Sequence, residues 1–200
     1  MRRVCACLTA AFIVSASTSM AQDRRIIMID PGHGGDQAGV ATDVVLEKDV
    51  ALRAGFALGA ELVRRGYDVR LTRTGDYAVS FPDRRVIAEE AGAALMISLH
   101  FNGDDDTSLY GIEIYGNLDD AAVTRFATSV AGALRESGSP VTVEGRPWDF
   151  LKSPTVPTLM IEAGFMTHPV ERRMIMSAAY HHDLATRLAD GIQAVMSPSP

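Results

Sequence analysis

The feature that most constrains the fold is a regular alternation, along one 200-residue chain, of short apolar runs with amphipathic stretches. Arg25-Ile-Ile-Met-Ile-Asp30 is an apolar run that stops at Pro31-Gly32, the pattern of a buried strand leaving its sheet at a turn. Across 48–65, Leu52, Phe56, Leu62 and Val63 recur near helical spacing, and Gly66 stands where a helix-ending glycine belongs. Residues 67–72 read as a second strand, 81–91 as a helix, and 94–99 as a third strand that delivers His100 at its end. Residues 111–115 follow as a strand, 119–136 as a helix, 156–161 as a strand running into Glu162, and 180–196 as a closing helix.

Strands and helices in this order predict an α/β single domain: a mainly parallel twisted sheet flanked by helices on both faces. The length suits one full hydrophobic core and leaves little for a second module. In such folds sites gather at the carboxyl ends of strands, which is where this reading puts Asp30, His100 and Glu162. Residues 137–156 are rich in Gly and Pro, so an exposed loop is expected there, carrying Trp148 and Phe150 near the site.

The N-terminal residues set the expected compartment. Arg2 and Arg3 give a basic start, 4–15 is mostly apolar, and Ser19-Met20-Ala21 is a small-x-Ala cleavage site. The apolar run is shorter than the roughly 20 residues that span a bilayer, which favours a signal peptide over an anchor. The expected organisation is therefore a signal peptide over 1–21, a catalytic domain over 22–197 and a frayed tail over 198–200. The protein would act in the periplasm or outside the cell, without stable membrane insertion. Both cysteines, Cys5 and Cys7, fall in the leader, so any metal must be held by His and carboxylates. Losing Arg2 and Arg3 takes the basic count from 19 to 17 against 25 acids and the formal charge from −6 to −8. That balance argues against nucleic acid as a partner. A monomer is the simplest expectation.

Four segments carry candidate chemistry. In Asp30-Pro31-Gly32-His33-Gly34-Gly35, glycines on both sides let a loop turn sharply and hold an imidazole in the open. Glu47 opens the first helix, where an acidic residue also suits the helix dipole. Ser98-Leu99-His100-Phe101-Asn102 ends an apolar strand on a histidine. Two histidines and one carboxylate are a set that holds catalytic Zn²⁺ with a fourth position open for water, and non-haem iron uses the same ligand types. Glu162 ends a nearly all-apolar strand, where a carboxylate is costly unless paired or used; a general base and a structural ion pair are the two readings.

These four segments, in this order, resemble the zinc-dependent N-acetylmuramoyl-L-alanine amidases of the Amidase_3 type, and the resemblance spans residues 26–196. It implies one zinc ion held by His33, Glu47 and His100, with Glu162 of Glu162-Ala163-Gly164-Phe165 as the catalytic glutamate. Thr72-Arg73 and Arg84 are further matches, read as structural arginines in surface or sheet-edge ion pairs. Asp36-Gln37 and His168 depart from the family pattern, at positions that touch no ligand. Only a short polar stretch, 103–109, stands where division-associated members carry an autoinhibitory helix, so the chain resembles the short, open members.

The resemblance implies hydrolysis of the amide between the lactyl group of N-acetylmuramic acid and L-alanine, with peptidoglycan or a muropeptide as substrate. Glu162 would take a proton from a zinc-activated water and return it to the leaving nitrogen. A zinc peptidase cutting within the stem peptide would use the same four residues, and a cell-wall binding module would be expected to lack one of them.

Overall fold

The computed structural model describes residues 25–196, so the leader over 1–21 and the tail over 198–200 lie outside the described residues. Strands β1 (Ile26–Pro31), β2 (Asp68–Leu71), β3 (Leu95–Asn102), β4 (Ile112–Gly116), β5 (Val141–Gly145) and β6 (Thr158–Phe165) form one sheet in the order β2-β1-β3-β6-β4-β5. β2, β1, β3 and β6 run parallel; β4 is antiparallel to β6, and β5 is parallel to β4. Helices α1 (Glu47–Arg64), α3 (Ala121–Arg135) and α5 (Ala178–Met196) cover one face, while α2 (Phe81–Glu90) and a short 3₁₀ turn (Asp149–Leu151) cover the other. The expected α/β architecture is thus present, and no described helix is long and apolar enough to cross a membrane.

Strand alternation divides the chain between the two faces. Ile27 and Ile29, Leu95, Ile97 and Leu99, and Leu159, Ile161 and Ala163 join the large core under α1, α3 and α5. Met28, Met96 and Met160 point the other way, into a smaller cluster with Tyr115, Phe150 and Val156. Ser98, His100 and Glu162 share the parity of this second face. Because only α2 and the 3₁₀ turn shield it, polar side chains can sit in an apolar strand and still open into a cavity.

The helix over 48–65 is real, but its buried face differs from the one its large residues suggested. Phe56 and Val63 are exposed, and α1 packs through Val50, Ala51, Ala54, Gly55, Leu58, Gly59 and Leu62. Small residues win because the helix lies close on the sheet: a Cβ at Gly55 would come 2.9 Å from Pro31 Cγ. Large residues cannot occupy that contact, so hydrophobic spacing misplaces the stripe.

Other boundaries move. β3 and β6 continue past His100 and Glu162 to Asn102 and Phe165, so neither residue ends its strand as expected. The register shifts between His100 and Asn102, an irregularity in the β3–β6 pairing that falls at the site, and the strands pair again at Asn102 and Phe165. The expected loop over 137–156 contains edge strand β5 and the 3₁₀ turn; Trp148 is exposed, but Phe150 is buried. An unexpected helix, α4 (Pro169–Ile175), begins at His168, whose Nδ1 accepts the Glu171 N–H at 3.2 Å. His168 is therefore a helix cap. Glu171 in turn accepts from Phe165 N at 2.7 Å and from Gly111 N at 3.0 Å, tying α4 to the end of β6.

Candidate active site

The loop after β1 is shaped by conformations that few side chains tolerate. His33 has φ 58°, and Gly34, Gly35 and Gly39 also have positive φ. A Cβ at Gly32 would lie 2.4 Å from the His100 ring, and one at Gly39 would lie 2.3 Å from Glu47 Oε2 and 2.6 Å from His33 Cδ2. Glycine is required at both positions because His100, Glu47 and His33 occupy the space a side chain would fill.

Two buried arginines fasten this loop. Arg73 donates from Nε to the Pro31 carbonyl at 2.9 Å and from Nη2 to those of Gly32 and Lys48 at 2.7 and 2.6 Å. Arg84 donates to Asp30 Oδ1 at 2.5 Å, to the Pro31 carbonyl at 2.7 Å and to the His33 carbonyl at 2.7 Å. Asp30 is fully buried and also accepts from Thr72 and Ser98 hydroxyls. Both arginines are structural, as expected, but they are buried at 1% and 2% exposure rather than in surface or sheet-edge pairs. They answer the unpaired carbonyls that an irregular loop leaves behind.

The loop, α1 and β3 bring His33, Glu47 and His100 together. Glu47 Oε1 lies 3.0 Å from His33 Nε2 and 3.1 Å from His100 Nδ1, and the two ring nitrogens are 3.2 Å apart. Glu47 is buried at 3% exposure and held by two backbone donors, Val40 N–H to Oε2 at 2.8 Å and Phe101 N–H to Oε1 at 3.0 Å. Burial opposes its ionisation, but hydrogen bonds and charge from His100 and His33 outweigh it and hold the carboxyl at about 2. Three lone-pair atoms converge on one point, a donor set that fits a metal ion. Tetrahedral zinc with bonds of about 2.0–2.1 Å separates its ligand atoms by roughly 3.3 Å, close to the triangle found here.

Glu162 on β6 is the register partner of His100 on β3. Its Oε2 is buried without a hydrogen-bond partner among the described residues. Burial, then repulsion from Glu47 and Glu113, pushes its carboxyl up to about 8. No cation pairs with Glu162 among the described residues, so the structural ion pair considered for it is absent.

Sequence reasoning passed over Glu113, which pairs with Glu162 across β4 and β6. Glu113 Oε2 accepts from Asn102 Nδ2 at 2.8 Å and from the Tyr115 hydroxyl. A usable signal existed in Ile112-Glu113-Ile114, a carboxylate inside an apolar strand, the same pattern that singled out Glu162. A cavity of 630 Å³ opens above these groups, with Phe81, Trp148, Phe150 and Met160 as its apolar wall and His33, Glu47, His100 and Glu162 on its floor. Its size suits a substrate segment rather than a single water.

A family model described as N-acetylmuramoyl-L-alanine amidase, Amidase_3, matches residues 27–194. The chain belongs to this family. The amidase is 28% identical over 223 residues to N-acetylmuramoyl-L-alanine amidase AmiA of Salmonella typhimurium, covering 88% of this chain and 77% of that protein. Among solved structures it resembles N-acetylmuramoyl-L-alanine amidase AmiC2 of Nostoc punctiforme, with TM-score 0.78 and 28% identity over 86% of this chain and 96% of that one. It is also similar to the N-acetylmuramoyl-L-alanine amidase of Clostridium difficile 630, with TM-score 0.79 and 27% identity over 85% of this chain and 95% of that one. The amidase therefore carries its converging His-Glu-His set on a family fold whose sheet and covering helices are those described above.

Proposed function

We propose that this amidase hydrolyses peptidoglycan between the lactyl carbonyl of N-acetylmuramic acid and the nitrogen of L-alanine, in the periplasm or outside the cell. His33, Glu47 and His100 would hold one zinc ion, and Glu162 would act as general base. The observation that carries this reading is the triangle of three ligand atoms beside an unpartnered Glu162 oxygen on the floor of an open cavity.

When bound, the ion supplies polarisation of the scissile carbonyl and brings the pKa of water toward about 7. Gly32 and Gly39 leave room for the His100 and Glu47 side chains, and the two buried arginines hold the His33 loop in place. Glu47 is aimed by its two backbone donors, while the two histidines keep it ionised. The apolar wall of Phe81, Trp148, Phe150 and Met160 offers a surface on which the substrate displaces water from the cavity, which strengthens the charge interactions at its floor. Glu162 Oε2 takes a proton from water as the water oxygen bonds to the carbonyl carbon. The same oxygen then gives that proton to the L-alanine nitrogen as the carbon–nitrogen bond breaks. Glu162 must be ionised to accept this proton, and a cation held by His33, Glu47 and His100 would favour that form.

The test separates the two roles. In Glu162→Gln the metal content should match that of the parent protein while turnover falls by about 10²–10⁴-fold; His33→Ala and His100→Ala should lose the metal as well. Undiminished turnover in Glu162→Gln contradicts the assignment.

A further inference from the structure

The segment from Arg146 to Lys152 forms a ridge between two concavities. Trp148, Asp149 and Phe150 face the cavity above the metal-binding set, while Arg146, Pro147 and Lys152 line an adjoining cleft of 320 Å³. Trp148 stands 43% exposed on this ridge, its ring edge-on to Tyr115 with centroids 5.3 Å apart. The Arg146 guanidinium lies over both rings, 4.9 Å from the Tyr115 centroid and 5.9 Å from that of Trp148. Stacking on aromatic faces pre-orders the planar fork and lowers the entropy lost when it binds an anion.

The fork is only partly used. Arg146 Nη2 reaches Glu144 at 2.6 Å, a half-exposed carboxylate, and the guanidinium also interacts with the Tyr115 hydroxyl, which raises the arginine's pKa, while Nε is buried without an acceptor among the described residues. Lys152 adds a second cation to the cleft, whose lining also includes one carboxylate, Asp119.

Position along the sheet tells which part of a substrate arrives there. Tyr115 lies two residues beyond Glu113 on the same face of β4, about 6.6 Å along the strand. Glu113 is the register partner of Glu162, so the Tyr115 ring under Arg146 is rooted about 6.6 Å along the sheet from the register of the proposed base, the span of about two extended residues, which is the distance a carboxylate on the residue after the scissile amide would cover.

We infer that Arg146, ordered on Tyr115 and Trp148 and assisted by Lys152, is a specificity-determining residue that binds a free carboxylate of the peptide, one residue beyond the scissile amide. The inference rests on the proposed function, since it takes the substrate to be a stem peptide. In such a peptide a γ-linked D-glutamate carries its α-carboxylate free, whereas an amidated residue there offers no negative charge. A charge-assisted pair of this kind distinguishes the two by about tenfold or more.

The test is calorimetric titration of the metal-loaded protein with the peptide L-Ala-γ-D-Glu-L-Lys and with its α-amide counterpart, repeated with Arg146→Gln. Hydrolysis of the matching muramoyl peptides is measured in parallel. The expected result is binding of the carboxylate peptide at least about tenfold tighter by the parent protein, and loss of that preference in Arg146→Gln with amide-peptide binding nearly unchanged. Arg146→Lys, which keeps the charge, should retain part of the preference, and an unaltered melting temperature shows that the ridge is intact. Equal binding of both peptides, no detectable binding of either, or a preference that survives Arg146→Gln overturns the inference. Binding with the expected preference but without hydrolysis leaves the carboxylate site standing and removes the proposed function instead.

Discussion

Replacing Arg84 with Met tests the idea that the buried arginines hold the metal-binding loop. Arg84 is 2% exposed and its partner Asp30 is fully buried, so the substitution leaves an anion in the interior with two hydroxyl donors and no cation at 2.5 Å. Breaking a buried pair from one side costs about 3–5 kcal/mol. The carbonyls of Val79 and His33 also lose the donors they had at 2.9 and 2.7 Å, whereas Pro31 keeps Arg73. Each newly unpaired carbonyl adds about 1 kcal/mol or more where water cannot reach it. The expected loss is therefore at least about 4 kcal/mol, a large share of the 5–15 kcal/mol that holds a typical domain together. Urea denaturation followed by circular dichroism measures it. The double variant Arg84→Met, Asp30→Asn removes both charges and should recover about 1–3 kcal/mol relative to the sum of the two single losses. A loss below about 1 kcal/mol in Arg84→Met, or strictly additive costs in the double variant, refutes the reasoning.

Three further outcomes follow from the same geometry. Gly39→Ala should keep the fold but weaken zinc binding by about tenfold or more in a competition with a chelating dye, because its Cβ would press on Glu47 and His33 at a backbone φ of 69°. Trp148→Ala should leave the melting temperature nearly unchanged, since the ring is 43% exposed, and should raise KM for muropeptides more than it lowers kcat. Arg65→Ala should cost about 1–2 kcal/mol in urea denaturation, because Arg65 joins Glu61 on α1 to Asp190, Gln193 and the Thr186 carbonyl on α5.

The site was more legible in the sequence than the packing around it. His33 could be found because glycines flank it, and the His100 ring excludes any larger residue from position 32. Glu162 and His100 were visible as polar breaks in apolar strands, yet both were read as strand ends; hydropathy falls at Glu162, but backbone pairing continues through Phe165. Glu113 went unnoticed although it interrupts its strand in the same way, because no local motif marks the partner that β4 brings beside Glu162. The stripe on α1 was misread because close packing against Pro31 selects glycine and alanine, which carry little hydrophobic signal. Arg73 and Arg84 look like surface charges in a sequence; only the fold shows that irregular loop carbonyls draw them inside.

The central claim is that the metal-binding triangle and Glu162 serve amide hydrolysis at the junction of sugar and peptide. Mass spectrometry of purified peptidoglycan digested by the protein, with and without chelator and with zinc added back, tests it most directly. The account predicts stem peptides released with free L-alanine amino ends, lost on chelation and restored by zinc; peptides cut internally, or release that persists without metal, would contradict it.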